Sequence, residues 1–222
     1  MCLAFLVFLF WRPLSMQNKN TTSKIRYVSL GDSYSNGEGE TPQDAWPVLL
    51  TNHLHQSGYD IELVANPAVS GWTTQNVIDS ELPQFIEAHP TFATLLIGAN
   101  DSYRGVDADT YRANLIKILD VMQANMIDDK KIILVTIPDY SVSPQIRVLP
   151  NAAELGKEIV KFNDIIRQEG QKRGLPVADL FDLGKRMGDD PSLVTADGLH
   201  PSAKELKVWE AQIYPIAASL LK

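Results

Sequence analysis

Residues 25–37 read IRYVSLGDSYSNG, and in this stretch a mostly apolar run leads directly into a polar turn flanked by glycines. Residues 25–30 have the length and the apolar character of a buried β-strand. Gly31 and Gly37 are turn residues, so we expect Ser33 on a tight turn directly after that strand. Because ligands of parallel α/β sheets bind beyond the carboxyl ends of the strands, this turn is a candidate for a functional site.

Along the rest of the chain, apolar strand-like runs alternate with segments of helical periodicity. Strands are predicted at residues 61–64, 93–97, 131–137 and 177–180. Helices are predicted at residues 47–56, at 73–88 with an irregularity at Pro83, and from an N-cap at Asp107 through Met122. Periodic apolar residues from Leu155 mark a long helix that ends before Gly174, and periodic apolar residues between Leu206 and Leu220 mark a closing helix with a bend near Pro215. This alternation favours a parallel sheet covered by helices on both faces, so we expect an α/β fold.

Length and composition narrow the class of protein. The chain has 222 residues, a net charge of −7 and 45% hydrophobic residues, which suits one globular domain, placed here at residues 23–222. Lys and Arg are scattered without a basic run, so the sequence predicts no nucleic-acid binding. The single cysteine, Cys2, excludes an intrachain disulfide and a cysteine-based metal site.

Residues 1–22 form a leader that we separate from this domain. Residues 3–11 are almost wholly apolar, but they are too few for the ~20 that span a bilayer. No charged side chain precedes them, as a signal peptide would require. Three interpretations stay open: a truncated signal, a weak membrane anchor, or a start codon placed too early, with Met16 as the alternative start. We favour the cytoplasm, with secretion or membrane anchoring through residues 1–15 as alternatives.

A second chemically suggestive segment lies near the C-terminus, at residues 197–201 (DGLHP). A serine hydroxyl is a poor nucleophile at neutral pH and needs a base within hydrogen-bond reach. His200 can act as that base because imidazole titrates near neutral pH. Asp197 can accept a hydrogen bond from the other ring nitrogen and set the tautomer. Pro201 favours a helix that starts directly after His200. We therefore predict that Ser33, His200 and Asp197 act together in nucleophilic catalysis.

Acyl transfer also requires hydrogen-bond donors for the oxyanion that develops at the substrate carbonyl. The candidates are the backbone N–H groups of Ser33 and Gly71 and the side-chain amide of Asn100. Each of these residues follows a predicted strand, which places all three at one edge of the sheet. Glycine permits a close approach of backbone to substrate, and asparagine supplies donors without a charge.

Four short segments resemble, in chain order, the four blocks of the SGNH/GDSL hydrolase superfamily. They are Gly31-Asp32-Ser33-Tyr34, Val69-Ser70-Gly71-Trp72, Gly98-Ala99-Asn100-Asp101 and Asp197-Gly198-Leu199-His200. The resemblance implies a three-layer α/β/α flavodoxin-like fold with a central parallel sheet of about five strands. It also implies a serine esterase that hydrolyses carboxylic ester bonds of small-molecule substrates, without a metal or an organic cofactor.

Aromatic side chains and one long connection are candidates for substrate contacts. Tyr34, Trp72, Tyr103 and Tyr140 follow predicted strand ends, and each either lines an acyl or alcohol pocket or packs in the core or at its rim. Residues 138–150 leave the same edge of the sheet, and loops in such positions often carry specificity. This connection is therefore either the element that sets acyl-chain preference or an inert surface loop.

Other polar residues near these segments are predicted to have structural roles. Asp32 and Asp101 are expected to accept hydrogen bonds from loop backbone rather than to take part in chemistry. Glu38 and Glu40 are expected to be solvated loop carboxylates. No residue is assigned as a metal ligand.

Several functional alternatives remain open. Thioesterase or lysophospholipase activity and carbohydrate O-deacetylation are compatible with the same scaffold, and an acyl-enzyme can also pass its acyl group to an acceptor other than water. A non-catalytic binding module is a rival from another class, but such a module is expected to have lost Ser33 or His200. The alternative of a membrane-anchored interaction protein is supported only by residues 3–11. The sequence determines neither the acyl-chain length nor the oligomeric state.

Overall fold

One parallel sheet forms the centre of the computed structural model, which describes residues 24–222. Its strands are β1 (Ile25–Gly31), β2 (Ile61–Ala65), β3 (Phe92–Leu96), β4 (Ile132–Val135) and β5 (Val177–Ala178). Their order across the sheet is β2-β1-β3-β4-β5. The five parallel strands agree with the sheet implied by the family resemblance.

Helices connect successive strands and cover the sheet. The α-helices are α1 (Ser33–Asn36), α2 (Trp46–Gln56), α3 (Thr74–Asn76), α4 (Leu82–Ala88), α5 (Ala99–Tyr103), α6 (Ala108–Ala124), α7 (Ala152–Arg173), α8 (Phe181–Lys185) and α9 (Ala203–Leu220). Short 3₁₀ helices lie at Pro42–Asp44, Tyr140–Val142, Arg186–Gly188 and Pro191–Leu193. Helix α2 packs against α9, whereas α4 and α7 pack against α6. The predicted three-layer α/β/α architecture is confirmed.

The core lies on both faces of the sheet. Every residue of β3 and β4 is buried. Since successive strand residues point to opposite faces, both faces of these strands must be covered. Trp46 of α2 and Trp209 of α9 are fully buried, as are Tyr111 of α6 and Phe162 of α7. The rings of Tyr111 and Phe162 stack with centroids 4.0 Å apart.

Two helix ends form where the local sequence predicts them. Asp107 caps α6, and its carboxylate accepts a hydrogen bond of 2.8 Å from the backbone N–H of Thr110. Helix α7 ends before Gly174, which adopts the left-handed conformation with φ 67° that favours glycine. Both signals act within a few residues, which is why they are readable without knowledge of the fold.

The helix predicted at residues 73–88 is interrupted. It consists of α3, a π-helical turn at Val77–Glu81, and α4, with Pro83 in the first turn of α4. Proline has no N–H to donate, and its ring clashes with the preceding turn, so the regular hydrogen-bond pattern gives way to a wider turn upstream. The irregularity predicted at Pro83 thus lies on its N-terminal side.

The last helix starts later than predicted. Helix α9 begins at Ala203, not directly after His200. Pro201 forms an antiparallel bridge with Val194, and the N–H of Ser202 donates to the carbonyl of Leu193 at 2.8 Å. These contacts hold the chain in an extended conformation, and His200 therefore lies in the preceding loop.

Membrane-spanning helices and clusters of potential metal ligands are both absent from residues 24–222. No helix in this part of the chain is long and apolar enough to cross a membrane. Nor does this part hold a group of three or more His, Cys, Asp or Glu side chains placed to bind a metal ion. The predictions made for residues 1–22 lie outside the described residues.

Candidate active site

The carboxyl ends of β1 and β3 border a cavity of about 340 Å³. Its lining includes residues from each of the four segments singled out in the sequence, among them Ser33, Gly71, Asn100 and His200. The remaining lining residues are Tyr34, Glu38, Ser70, Ala99, Tyr103, Tyr140, Gln145, Ile146 and Leu199. Folding therefore brings the four segments to one site.

Ser33 begins a short helix rather than lying on the simple turn predicted for it. Asp32 caps this helix, α1, and its carboxylate accepts a 3.0 Å hydrogen bond from the N–H of Tyr34. Gly31 is required by close packing, because a Cβ there would lie 2.4 Å from the carbonyl oxygen of Leu96. The backbone thus presents Ser33 at the first helical position, where backbone N–H groups have no partner within the helix.

The hydroxyl and the backbone N–H of Ser33 are available to a ligand. Its side chain is almost buried, with 6% of the residue surface exposed, and it lines the cavity. Within residues 24–222, neither its hydroxyl nor its backbone N–H forms a hydrogen bond. An unengaged hydroxyl beside an unengaged N–H is the arrangement that nucleophilic attack and oxyanion binding need at one residue.

A buried carboxyl group that the sequence reasoning missed lies behind this turn. Glu81, in the π-helical turn, is fully buried, and its Oε2 accepts a hydrogen bond of 2.9 Å from the N–H of Gly31. Burial raises the pKa of Glu81 to about 8, and the nearby carboxylate of Asp32 adds to this effect. At neutral pH the neutral acid therefore predominates, and it fixes the end of β1 without a full buried charge.

Asp32 and Asp101 have the structural roles predicted for them. Besides capping α1, Asp32 accepts a 3.3 Å hydrogen bond from the amide of Asn100. Burial raises the pKa of Asp32 to about 7, and Asp101 adds to the rise, whereas the hydrogen bond from Tyr34 opposes it. Asp101 accepts hydrogen bonds from the N–H of Thr74 at 2.9 Å and from its hydroxyl at 2.5 Å. These bonds attach the segment after Gly71 to helix α5.

Gly71 lies in a loop that is held by a hydrogen bond to the Gly71 carbonyl. It has a left-handed φ of 82°, and its carbonyl accepts a hydrogen bond of 2.7 Å from Nη2 of Arg104. In the described part of the chain its N–H donates to no acceptor. A donor without a partner at the cavity wall suits the predicted oxyanion hole.

Asn100 lies in α5 and its side-chain amide joins two of the four segments. The Nδ2 group donates to the carbonyl of Trp72 at 3.0 Å and to Asp32 at 3.3 Å. These two acceptors orient the amide at the cavity wall. Gly98 permits this placement, since a Cβ there would lie 2.7 Å from the Tyr111 ring.

His200 and Asp197 form a tight pair. Nδ1 of His200 lies 2.6 Å from Oδ2 of Asp197. The other carboxylate oxygen accepts hydrogen bonds from the N–H of Leu199 at 2.7 Å, the N–H of His200 at 3.0 Å and the hydroxyl of Thr195 at 2.7 Å. Although partial burial opposes ionisation, these hydrogen bonds lower the pKa of Asp197 to about 2. The carboxylate is therefore ionised at neutral pH.

In the described part of the chain, the Ser33 and His200 side chains share the cavity but are not joined by a hydrogen bond. Within residues 24–222, no hydrogen bond joins Nε2 of His200 to the hydroxyl of Ser33, although both residues line the same wall. The ring of Tyr34 packs edge-on against His200 with centroids 5.8 Å apart, and Trp209 supports Tyr34 in the same way at 5.6 Å. Catalytic hydrogen bonds are often long in the free protein and tighten when substrate binds.

Three of the four aromatic candidates line the cavity and the fourth does not. Tyr34, Tyr103 and Tyr140 line the cavity, whereas Trp72 is not among the lining residues. Trp72 contributes its backbone carbonyl, which accepts from Asn100. A hydrogen bond holds Tyr140 in place, because its hydroxyl lies 2.7 Å from that of Ser102.

Residues from two loops complete the wall, and of these loops the sequence analysis assigned only the connection at residues 138–150 to substrate contacts. Glu38 is an exposed loop carboxylate, as predicted, but it also lines the cavity and accepts a hydrogen bond from the Ser70 hydroxyl. Glu40 is half-buried and accepts a hydrogen bond of 3.0 Å from the N–H of Ala203, at the start of α9. Gln145 and Ile146 come from the long connection at residues 138–150, whose sheet-edge position was the available signal.

Comparison with known proteins was made on the whole chain. The model of the GDSL-like Lipase/Acylhydrolase family matches residues 29–204. The chain is 30% identical over 201 residues to an arylesterase of Vibrio mimicus, and the match covers 89% of this chain and 88% of the arylesterase. It is 37% identical over 98 residues to thioesterase 1/protease 1/lysophospholipase L1 of Escherichia coli strain K12, covering 43% of this chain and 45% of that protein.

A solved structure supports the same fold. The crystal structure of TesA aligns with a TM-score of 0.71 at 23% sequence identity, covering 88% of this chain and 99% of that one. At this identity the likeness establishes the architecture.

Proposed function

Because this chain belongs to the GDSL-like lipase/acylhydrolase family and is a hydrolase of ester bonds, we propose that it is a serine esterase acting on carboxylic esters through an acyl-enzyme at Ser33. The observation that supports this most strongly is a histidine held 2.6 Å from a carboxylate on the cavity that also contains Ser33. Unengaged backbone donors on the same cavity supply the second requirement of acyl transfer.

The reaction proceeds in two halves. The Ser33 hydroxyl attacks the ester carbonyl carbon while Nε2 of His200 takes the hydroxyl proton. When the bond to the alcohol breaks, the same nitrogen returns that proton to the alcohol oxygen. Water then attacks the acyl-enzyme with His200 again as base, which releases the acid and restores Ser33. Asp197 holds the ring in the tautomer that leaves Nε2 free to accept, and it stabilises the imidazolium.

The oxyanion hole is formed by Ser33, Gly71 and Asn100. Two of its donors are backbone N–H groups, and they need no rearrangement because they have no competing acceptor within residues 24–222. The third, the Asn100 amide, is shared with Trp72 and Asp32 in the free protein. We infer that the developing oxyanion competes with these neutral or partly neutralised acceptors for the amide protons.

Replacing Asn100 by alanine tests the third donor. We expect kcat to fall by ~10²–10³, or roughly 3–4 kcal/mol, with a smaller change in KM, because the lost interaction forms in the transition state. The change also removes the 3.0 Å bond to Trp72, so a loss of about 1 kcal/mol in unfolding free energy is expected. Steady-state kinetics on p-nitrophenyl acetate together with thermal unfolding measure both effects.

Asn114→Ala is the matched control for that variant. Asn114 donates a 3.0 Å hydrogen bond to the Thr74 hydroxyl, so it supports the same segment without lining the cavity. It should lose stability to a similar degree and keep a kcat near that of the wild type. Full activity of Asn100→Ala, or an equal loss in both variants, contradicts the assignment of Asn100.

The long connection at residues 138–150 is proposed to set acyl-chain preference. Ile146 is 4% exposed, and its side chain lines the cavity. Ile146→Ala enlarges the cavity there, so the ratio of kcat/KM for longer acyl chains to that for acetate should rise by about tenfold. Activity on p-nitrophenyl esters from acetate to palmitate, assayed well below the melting temperature, measures this ratio.

Val148→Ala controls for a general effect of the connection. Val148 is 75% exposed and does not line the cavity, so its truncation should leave the chain-length profile unchanged. If Ile146→Ala also leaves the profile unchanged, the connection does not determine acyl-chain length.

A thioesterase or lysophospholipase activity is the second candidate, favoured by the 37% identity to the Escherichia coli protein over 98 residues. Carbohydrate O-deacetylation is the other alternative on this scaffold. The same ester series separates them, because a deacetylase prefers acetate and a lysophospholipase prefers long chains. Palmitoyl-coenzyme A as substrate then tests the thioester directly.

A further inference from the structure

A single carboxylate supplies the permanent charge on the wall of the cavity. Among the lining residues that belong to the described part of the chain, Glu38 is the only acidic one, and none of them is Lys or Arg. Its Oε2 accepts a hydrogen bond from the Ser70 hydroxyl, which in turn accepts from Nδ2 of Asn36 at 3.1 Å. Within residues 24–222 the carboxylate forms no ion pair, and its Oε1 accepts no hydrogen bond. One oxygen of this carboxylate is therefore available to a ligand.

The residues that follow Glu38 pack on the loop that contains His200. The next residue, Gly39, packs so tightly on Thr195 that a Cβ there would lie 2.8 Å from its methyl carbon. Thr195 in turn donates to the carbonyl of His200 at 2.8 Å, and Glu40 bonds to Ala203 beyond His200. In the proposed mechanism His200 protonates the departing alcohol, so we infer that the alcohol portion of the ester lies towards this loop.

The other charged groups near the cavity do not cancel this charge. Asp197 is engaged by His200, and Asp32 and Asp101, which do not line the cavity, bring no positive charge. Arg104 is the adjacent cation, but its Nη2 is bound to the Gly71 carbonyl and it is not a lining residue. Tyr103, which is 54% exposed, also lines the cavity, and an aromatic ring can bind a cation over its face.

We propose that Glu38, held by Ser70 and assisted by Tyr103, forms a leaving-group subsite that selects esters of cationic alcohols, such as amino or quaternary ammonium alcohols. This rests on the proposed esterase function. A carboxylate at the cavity wall attracts a cation on the alcohol and repels the phosphates of coenzyme A and phospholipid substrates. Because Glu38 is exposed, the selectivity is severalfold and is weakened by salt.

The test compares two acetate esters of nearly identical shape. Acetylcholine carries a quaternary nitrogen where 3,3-dimethylbutyl acetate has a carbon, so the two differ only in the charge. In the wild-type protein we expect kcat/KM for acetylcholine to exceed that for the neutral ester by about three- to tenfold at low salt, and this ratio to shrink in 0.5 M NaCl.

Two variants assign the effect to one carboxylate. Glu38→Gln keeps the acceptor for Ser70 but removes the charge, so the ratio should fall to about one while the neutral ester is still hydrolysed. Glu40→Gln removes a neighbouring charge that does not line the cavity, and its ratio should remain that of the wild type.

The possible failures are distinguishable. If wild-type protein hydrolyses both esters with equal kcat/KM, or if Glu38→Gln keeps the wild-type ratio, the subsite proposal is wrong and the esterase stands. Hydrolysis of p-nitrophenyl acetate without hydrolysis of acetylcholine also overturns the subsite. Folded protein that hydrolyses none of the three esters overturns the esterase and the subsite together.

Discussion

Ser33→Ala is expected to lower kcat for p-nitrophenyl acetate by about 10⁴–10⁶-fold, because no acyl-enzyme can form without the hydroxyl. The residual rate comes from binding and from the oxyanion donors, which the substitution leaves in place. Within residues 24–222 the Ser33 hydroxyl makes no hydrogen bond, so its removal should change the melting temperature little. Initial rates and thermal unfolding on the same preparations measure both quantities.

Ser35→Ala is the matched control. Ser35 lies in the same short helix and is fully buried, but its hydroxyl has no hydrogen-bond partner in the described part of the chain. Its removal should leave kcat within about twofold of the wild type and stability unchanged or slightly raised, because an unsatisfied buried group is lost. Undiminished hydrolysis by folded Ser33→Ala would falsify the acyl-enzyme mechanism.

Asp197→Asn is expected to lower kcat by about 10³–10⁴-fold. An amide NH₂ at the position of Oδ2, 2.6 Å from Nδ1 of His200, makes that ring nitrogen an acceptor and leaves the proton on Nε2. The ring can then no longer take the Ser33 proton. In the described residues no backbone carbonyl accepts from the His200 ring, so nothing else sets the tautomer. Steady-state kinetics across pH 6–9 measures the loss.

Asp190→Asn is the control for Asp197→Asn, because Asp190 accepts similar local hydrogen bonds but does not pair with a histidine. Asp190 accepts from the N–H and hydroxyl of Ser192 at 2.9 and 2.6 Å, and hydrogen bonds lower its pKa to about 2. Asp190→Asn should therefore perturb its loop comparably and leave kcat near the wild-type value. A loss of less than tenfold in Asp197→Asn shows that Asp197 is dispensable for the tautomer.

The lowered pKa of Asp197 also predicts how stability changes in acid. A carboxyl group with a pKa of about 2 in the folded protein and near 3.8 when unfolded stabilises the fold above the unfolded value. That contribution is lost as pH falls from about 4 towards 2. The stability difference between wild type and Asp197→Asn should therefore narrow over this range, which urea unfolding at several pH values can follow.

Local patterns were sufficient where the deciding interactions lie within a few residues. The cap at Asp107 depends on Thr110, three positions away, and the Asp197–His200 pair has the same spacing. The strand before Ser33 is recognisable because residues 25–30 are mostly apolar and end at a glycine. These predictions needed only short-range hydrogen bonding and burial.

Other features depend on neighbours that are distant in the chain. The start of α9 was predicted too early because Pro201 pairs with Val194, a contact no local signal announces. Glu38 is exposed, as predicted, but its position on the cavity could not be predicted because it depends on Gly39 packing against Thr195. The sequence favoured Trp72 and Tyr103 equally as lining residues, but in the folded protein Tyr103 lines the cavity and Trp72 does not.

By itself, then, the sequence determined the α/β class, the four segments that meet at one sheet edge, and the pairing of His200 with a carboxylate. It could do so because alternation of buried and exposed residues and short-range capping are encoded locally. Only the tertiary structure decided the strand order, the buried Glu81 behind Gly31, and the charge and shape of the cavity wall. These features depend on which surfaces pack together. The free energy of this packing is spread over contacts between elements that are far apart in the chain.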